Sequence, residues 1–123
     1  TNGANYGLPG NRYPAVFVEQ GKQSLAIKST VSNDHNHGYI MEHTLSSDTW
    51  THVKIYQSSE NSKIFYNIAI DDRLVHTVEN TNPITFHDMT LYTSDPWHEQ
   101  DANVQIKHLS YRQYQCKYIL TRL

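Results

Sequence analysis

A single cysteine, Cys116, is all the thiol this chain carries. That excludes an intrachain disulfide framework and any Cys-x-x-Cys metal or redox motif. A lone cysteine either pairs with a second chain in an oxidising compartment or acts as a small buried apolar residue. Long hydrophobic runs are also missing: none approaches the ~18 residues a membrane-crossing helix needs, so membrane insertion is not expected. The first residues, Thr1-Asn2-Gly3-Ala4-Asn5, carry neither the charged nor the apolar segment of a leader and look like a processed end, which points to a secreted or extracellular protein. Charge of one sign is lacking too. Ten Lys and Arg stand against twelve Asp and Glu, a net charge of −2 with no basic stripe, so nucleic acid is not an expected partner. There is no Gly-x-Ser-x-Gly elbow and no glycine-rich phosphate loop, and Cys116 has no partner histidine at a defined spacing, so the chain does not read as an enzyme.

Helical periodicity is absent as well. No segment repeats apolar residues at i, i+3, i+4 and i+7 behind a capping residue, and Tyr, Thr, Val and Ile stand where Ala and Leu would favour helix. Period-two alternation bounded by Asn, Asp, Ser, Gly and Pro dominates instead, the pattern of half-buried strands. It predicts strands at 15–20, 24–30, 39–43, 51–56, 63–70, 74–78, 89–93 and 104–109. Gly21-Lys22, 58–62 and Asp71-Asp72 read as turns, and the polar stretches 33–38 and 94–103 as the longest loops. In 63–70 the alternation is cleanest, with Ile64, Tyr66, Ile68 and Ile70 on one face. At 123 residues and 37% apolar content, one domain spanning 1–123 is expected. Its fold class is all-β, a two-sheet antiparallel sandwich. Trp50 reads as a core residue at a strand entrance.

Trp50-Thr51-His52-Val53-Lys54-Ile55 followed by Tyr66-Asn67-Ile68-Ala69-Ile70-Asp71-Asp72-Arg73-Leu74-Val75 resembles the central hairpin of concanavalin-like, laminin-G-like and galectin-like domains. The likeness continues through Phe86 to Trp97 and the closing Val104-Gln105-Ile106-Lys107-His108-Leu109, covering roughly half of the chain. It implies a jelly-roll sandwich of the galectin or concanavalin kind. More narrowly, Ser94-Asp95-Pro96-Trp97 and the lone Cys116 are similar to a calcium-dependent galactose-binding lectin type of sea anemones. That resemblance implies a non-catalytic lectin for terminal galactosides, calcium as cofactor, and a homodimer linked through Cys116. The galectin His-x-Asn-x-Arg strand is absent. Glu99-Gln100-Asp101 opens a β-glucanase-like pattern, but Asn103 and Val104 stand where its second Glu belongs.

Sugar recognition needs an aromatic face for the apolar side of the ring and polar groups or a hard cation for its hydroxyls. The 94–103 stretch holds both. Trp97 would be the platform with His98 beside it, and Asp95, Glu99, Asp101 and Asn103 would offer oxygens to Ca²⁺, a cation that takes six to eight oxygen ligands. The same stretch also reads as a solvated acidic loop with Trp97 folded over the sheet edge. Asn36 and His37, in the other long loop, would contribute to the same rim, or simply form a turn. With eight histidines in the chain, His35-x-His37 has spacing suited to two zinc ligands on one side of a strand, although His43, His52 and His98 compete for a third. Surface histidines are the simpler account. The competing function is a laminin-G-like protein-interaction module without sugar binding.

Overall fold

The computed structural model describes residues 11–19, 21–88, 90–93 and 104–112. Within them the chain is all-β, with six strands: β1 (Ala15–Val18), β2 (Leu25–Val31), β3 (Asp34–Ile40), β4 (Val53–Glu60), β5 (Lys63–Ile70) and β6 (Arg73–Glu79). They form two antiparallel three-stranded sheets, β1-β2-β3 and β4-β5-β6, and in each every strand pairs with its neighbour in sequence. Among the described residues no helix is long and apolar enough to cross a membrane.

The turns explain the meanders. Ser32-Asn33, Asn61-Ser62 and Asp71-Asp72 each place two consecutive residues at positive φ, between 48° and 64°. Such a pair is the signature of the type I′ turn, whose twist matches that of the strands it joins. Asn and Asp tolerate this region because their short polar side chains bond locally. At Asp71 this bonding is explicit: its Oδ1 accepts from the His52 N–H at 2.7 Å while its own N–H donates to the His52 carbonyl at 2.8 Å. Gly21, at φ 75°, turns β1 toward β2.

The core lies where the two sheets face each other. Ile27 and Val31 from β2 meet Tyr66, Ile68 and Ile70 from β5, flanked by Tyr39, Met41, Val53, Ile55, Val75 and Val78. The central strands dominate because a middle strand is covered by a neighbour on either side. Ile68, with no exposed surface, pairs across to Ile55 on one side and His76 on the other. Burying such a side chain is worth about 1.5–3 kcal/mol. On the opposite face of β5, Asn67 receives a hydrogen bond from Thr77 Oγ1 at 2.8 Å and donates to Ser58 Oγ at 2.9 Å, a polar rung across all three strands.

At one end the sheets are joined by polar groups. The buried Asn80, just past β6, accepts from the Ser32 N–H at 2.8 Å and donates to Gln57 Oε1 at 3.1 Å. Ser32 Oγ donates to the Glu79 carbonyl at 3.1 Å and accepts from the Thr81 N–H at 2.9 Å. The β2–β3 turn is thereby held against the end of β6.

Four expectations change. The stretch 33–38 is not a loop: only Ser32-Asn33 turns, and β3 follows at once, ending at Ile40 and not running on to His43. The 58–62 turn shrinks to Asn61-Ser62, because β4 continues to Glu60, which pairs with Lys63. Residues 90–93 and 104–109 form no strand, and Leu91, Val104, Ile106 and Leu109 are exposed. Alternation permits a strand, but a backbone ladder makes one, and among the described residues neither segment takes part in a ladder. Trp50 is not core: it is 51% exposed, with the Lys107 ammonium 3.9 Å from its ring centre. Met89 lies outside the described residues.

Candidate functional site

Two imidazoles that the fold brings into direct contact come from opposite sheets. On β3 the residues alternate strictly, with Asp34, Asn36, Gly38 and Ile40 exposed and His35, His37 and Tyr39 partly covered. His37 stands across β2 from Ser29, and His76 across β5 from Ile68. Both imidazoles therefore enter the gap between the sheets, and their Nε2 atoms meet at 2.8 Å.

The rings meet head on. Their centres are 5.1 Å apart against 2.8 Å between the nitrogens. The excess is two ring radii of about 1.1 Å each, as ring bonds close to the C–N lengths of a peptide dictate. Such an alignment is that of an N–H···N hydrogen bond, which requires one ring to donate from Nε2 and the other to accept there. Asp34 Oδ2 lies 3.9 Å from His37 Nδ1. A carboxylate on that side favours the His37 proton on Nδ1, leaving His37 Nε2 as acceptor and His76 as donor.

Aromatic groups enclose the pair. Tyr66 approaches the His37 and His76 rings edge on at 6.1 and 6.4 Å, and the Tyr39 ring lies 5.7 Å from that of His76. Tyr66 is only 5% exposed and its hydroxyl has no hydrogen-bond partner of good geometry. Burial pushes its pKa up to about 12, against a smaller opposing pull from the Ser29 hydroxyl. The His76 pKa is held below its ordinary value, first by burial and then by repulsion from His37. A group in this setting takes up a proton reluctantly, because the charged form loses water and faces a second imidazole.

Of the residues singled out in the sequence, Asn36 and His37 are placed and do not share a face. Asn36 is exposed and accepts a hydrogen bond from the Arg12 guanidinium, whereas His37 turns inward to His76. His35 does lie on the His37 side of β3, with its Nδ1 buried and unpartnered. Among the described residues no group of three His, Cys, Asp or Glu side chains is arranged to hold a metal ion. Asp95, Trp97, His98, Glu99, Asp101, Asn103 and Cys116 lie outside the described residues. Spacing along the chain missed His76 and Tyr66, because the contact spans 39 residues and joins two sheets. The one signal available was their place on strands that alternate toward the core.

The described surface also presents aromatic groups. Besides Trp50 under Lys107, the Tyr56 ring on the outer side of β4 lies 4.7 Å from the Lys54 ammonium. Such cation–π contacts are worth about 0.5–1 kcal/mol at exposed sites. No family model matches the chain, and no curated protein or solved structure matches it.

Proposed function

We propose that the chain is a non-catalytic carbohydrate-binding protein, a lectin built on a jelly-roll sandwich of which the two three-stranded sheets are the described part. The observation that supports this reading is Trp50: a half-exposed indole on a rigid β scaffold, accompanied by the ammonium of Lys107. An indole offers the flat apolar face that the C–H side of a pyranose ring stacks on, and an adjacent ammonium donates to its hydroxyls. A stacked sugar would move Lys107 from over the ring to its rim. Terminal galactosides as ligand, a calcium ion held by Asp95, Glu99, Asp101 and Asn103, secretion, and pairing of two chains through Cys116 complete the proposal on the strength of the resemblance alone. Two linked sites would bind a multivalent glycan more tightly than one, because the second contact becomes intramolecular.

A glycan array run with calcium and again with excess EDTA tests ligand class and metal dependence together. The expected result is binding to galactose-terminated glycans that disappears in EDTA and falls at least about tenfold in Trp50→Ala, with thermal stability unchanged. Absence of any glycan signal in both buffers overturns the reading. The laminin-G-like protein-interaction module is then the better account, favoured by the exposed Val104, Ile106, Leu109 and Tyr111.

A further inference from the structure

One polar contact between the two sheets is a single hydrogen bond between two titratable rings. A shared metal ion does not fit its geometry: imidazoles converging tetrahedrally on zinc at about 2.0–2.1 Å would hold their nitrogens about 3.3 Å apart, with both lone pairs aimed at a common third point. The head-on alignment leaves no such point.

We propose that the His37–His76 bond is an acid-released latch between the sheets, closed while the two rings together hold at most one extra proton and opened when each ring is an imidazolium. In the neutral pair His76 donates to His37. One added proton leaves a bridging N–H···N bond of the charge-assisted kind, which is stronger than the neutral one. The second proton gives both Nε2 atoms a hydrogen and both rings a positive charge. The acceptor is lost and like charges meet across the gap, so the bond is replaced by repulsion.

The surroundings set the direction. On β3, Asp34 is the one carboxylate within ion-pair distance of either ring among the described residues, and at 62% exposure it is well screened. Tyr39 on β3 and Tyr66 on β5 pack against His76, and Ser29 on β2 sits across from His37; all three are neutral in acid and offer no compensating charge. His35, two residues from His37 on the same side of β3, offers no negative charge either. The depressed pKa of His76 agrees in sign with this arrangement. A histidine that resists protonation when folded stabilises the fold fully above the unfolded value of about 6.5 and loses that contribution as pH falls from there toward its folded pKa. Both rings belong to edge strands of their sheets, so release loosens β3 and β6 before it disturbs β2 and β5.

The test is nitrogen-resolved NMR of the imidazoles together with amide hydrogen exchange at pH 7.5 and pH 5.0, corrected for the intrinsic pH dependence of exchange. At pH 7.5 His76 is expected to carry its proton on Nε2 and His37 on Nδ1. Lowering the pH should speed exchange of the His37, Tyr39 and His76 amides by about fivefold or more relative to the β2–β5 core, the equilibrium equivalent of one net hydrogen bond. In His76→Gln, and separately in His37→Gln, that acid-specific acceleration should vanish. Equal protection of β3 and β6 at both pH values in the unmodified protein overturns the proposal. So does an acceleration that survives in both variants, or a neutral pair in which both rings carry the proton on Nδ1.

Discussion

Replacing Asn80 with Ala probes how much of the attachment between the sheets is polar. The side chain is 4% exposed and makes two hydrogen bonds, accepting from the Ser32 N–H at 2.8 Å and donating to Gln57 at 3.1 Å. Each bond contributes about 1 kcal/mol net, and a buried donor left unpaired costs a further ~1–3 kcal/mol. The Ser32 amide is only part-buried, so water recovers some of that, and the expected loss is about 2–3 kcal/mol. The Asn80 backbone bond to the Ile64 carbonyl, at 2.7 Å, is unaffected by the substitution. Urea unfolding should show a midpoint roughly 1–2 M lower at unchanged slope, given slopes of about 1–3 kcal/mol per molar for small proteins. A cycle with Gln57→Ala then isolates the single Asn80–Gln57 bond, with a coupling of about 1 kcal/mol expected. A loss below about 0.5 kcal/mol in Asn80→Ala, or a cycle without coupling, would refute the argument.

The apolar contact makes its own forecast: Ile68→Ala, at a site with no exposed surface, should cost about 2–5 kcal/mol, read by the same unfolding experiment. Ser62→Gly should instead stabilise the chain by about 0.4–1 kcal/mol, because it places glycine at φ 64° and completes the Asn-Gly pair that type I′ turns favour; a lower melting temperature would contradict it. In alkali, Tyr66 should stay protonated until about pH 12. Its raised pKa means a contribution to stability that is complete below pH 10 and lost as pH rises through 12, visible as a late part of the 295 nm titration, to which Tyr13 and Tyr39 also contribute, that is reduced in Tyr66→Phe. Lys63→Met should shift stability by less than about 0.5 kcal/mol, because its 2.8 Å pair with Glu79 is more than a third exposed at both ends and is screened by salt.

Some elements were legible in the sequence for a clear physical reason. β5 reads off Lys63–Ile70 because its Ile and Tyr alternate with residues of another kind, and its boundaries are set by turns that Asn61-Ser62 and Asp71-Asp72 announce. β3 was obscured because its inward residues are His35, His37 and Tyr39, side chains that hydropathy counts as polar although their rings cover apolar surface. Residues 104–109 misled in the opposite sense: Val104, Ile106 and His108 alternate with polar residues, yet no described strand forms a ladder with them. The imidazole pair was illegible because proximity across two sheets depends on which edges are brought together, information that spacing along one strand does not carry. Trp50 illustrates a further limit, since an indole at a strand entrance serves equally as core or as surface, and only the position of Lys107 distinguishes the two.

The order of strands bears on how this protein forms. Among the described residues every ladder joins neighbours in sequence, the first sheet's within residues 15–40 and the second's within 53–79. None of these ladders must wait for a distant segment to arrive. Hairpin closure on the scale of about 1–10 μs can therefore assemble each sheet by itself. What remains is one late docking event in which Ile27 and Val31 meet Tyr66, Ile68 and Ile70. A sandwich whose strands exchanged between layers would pay the loop-closure entropy of long-range pairing before any reward. For the described ladders that cost falls only on the docking of the two sheets. The transition state should accordingly hold the two turns Asn61-Ser62 and Asp71-Asp72 already formed, while the contact between layers is still open.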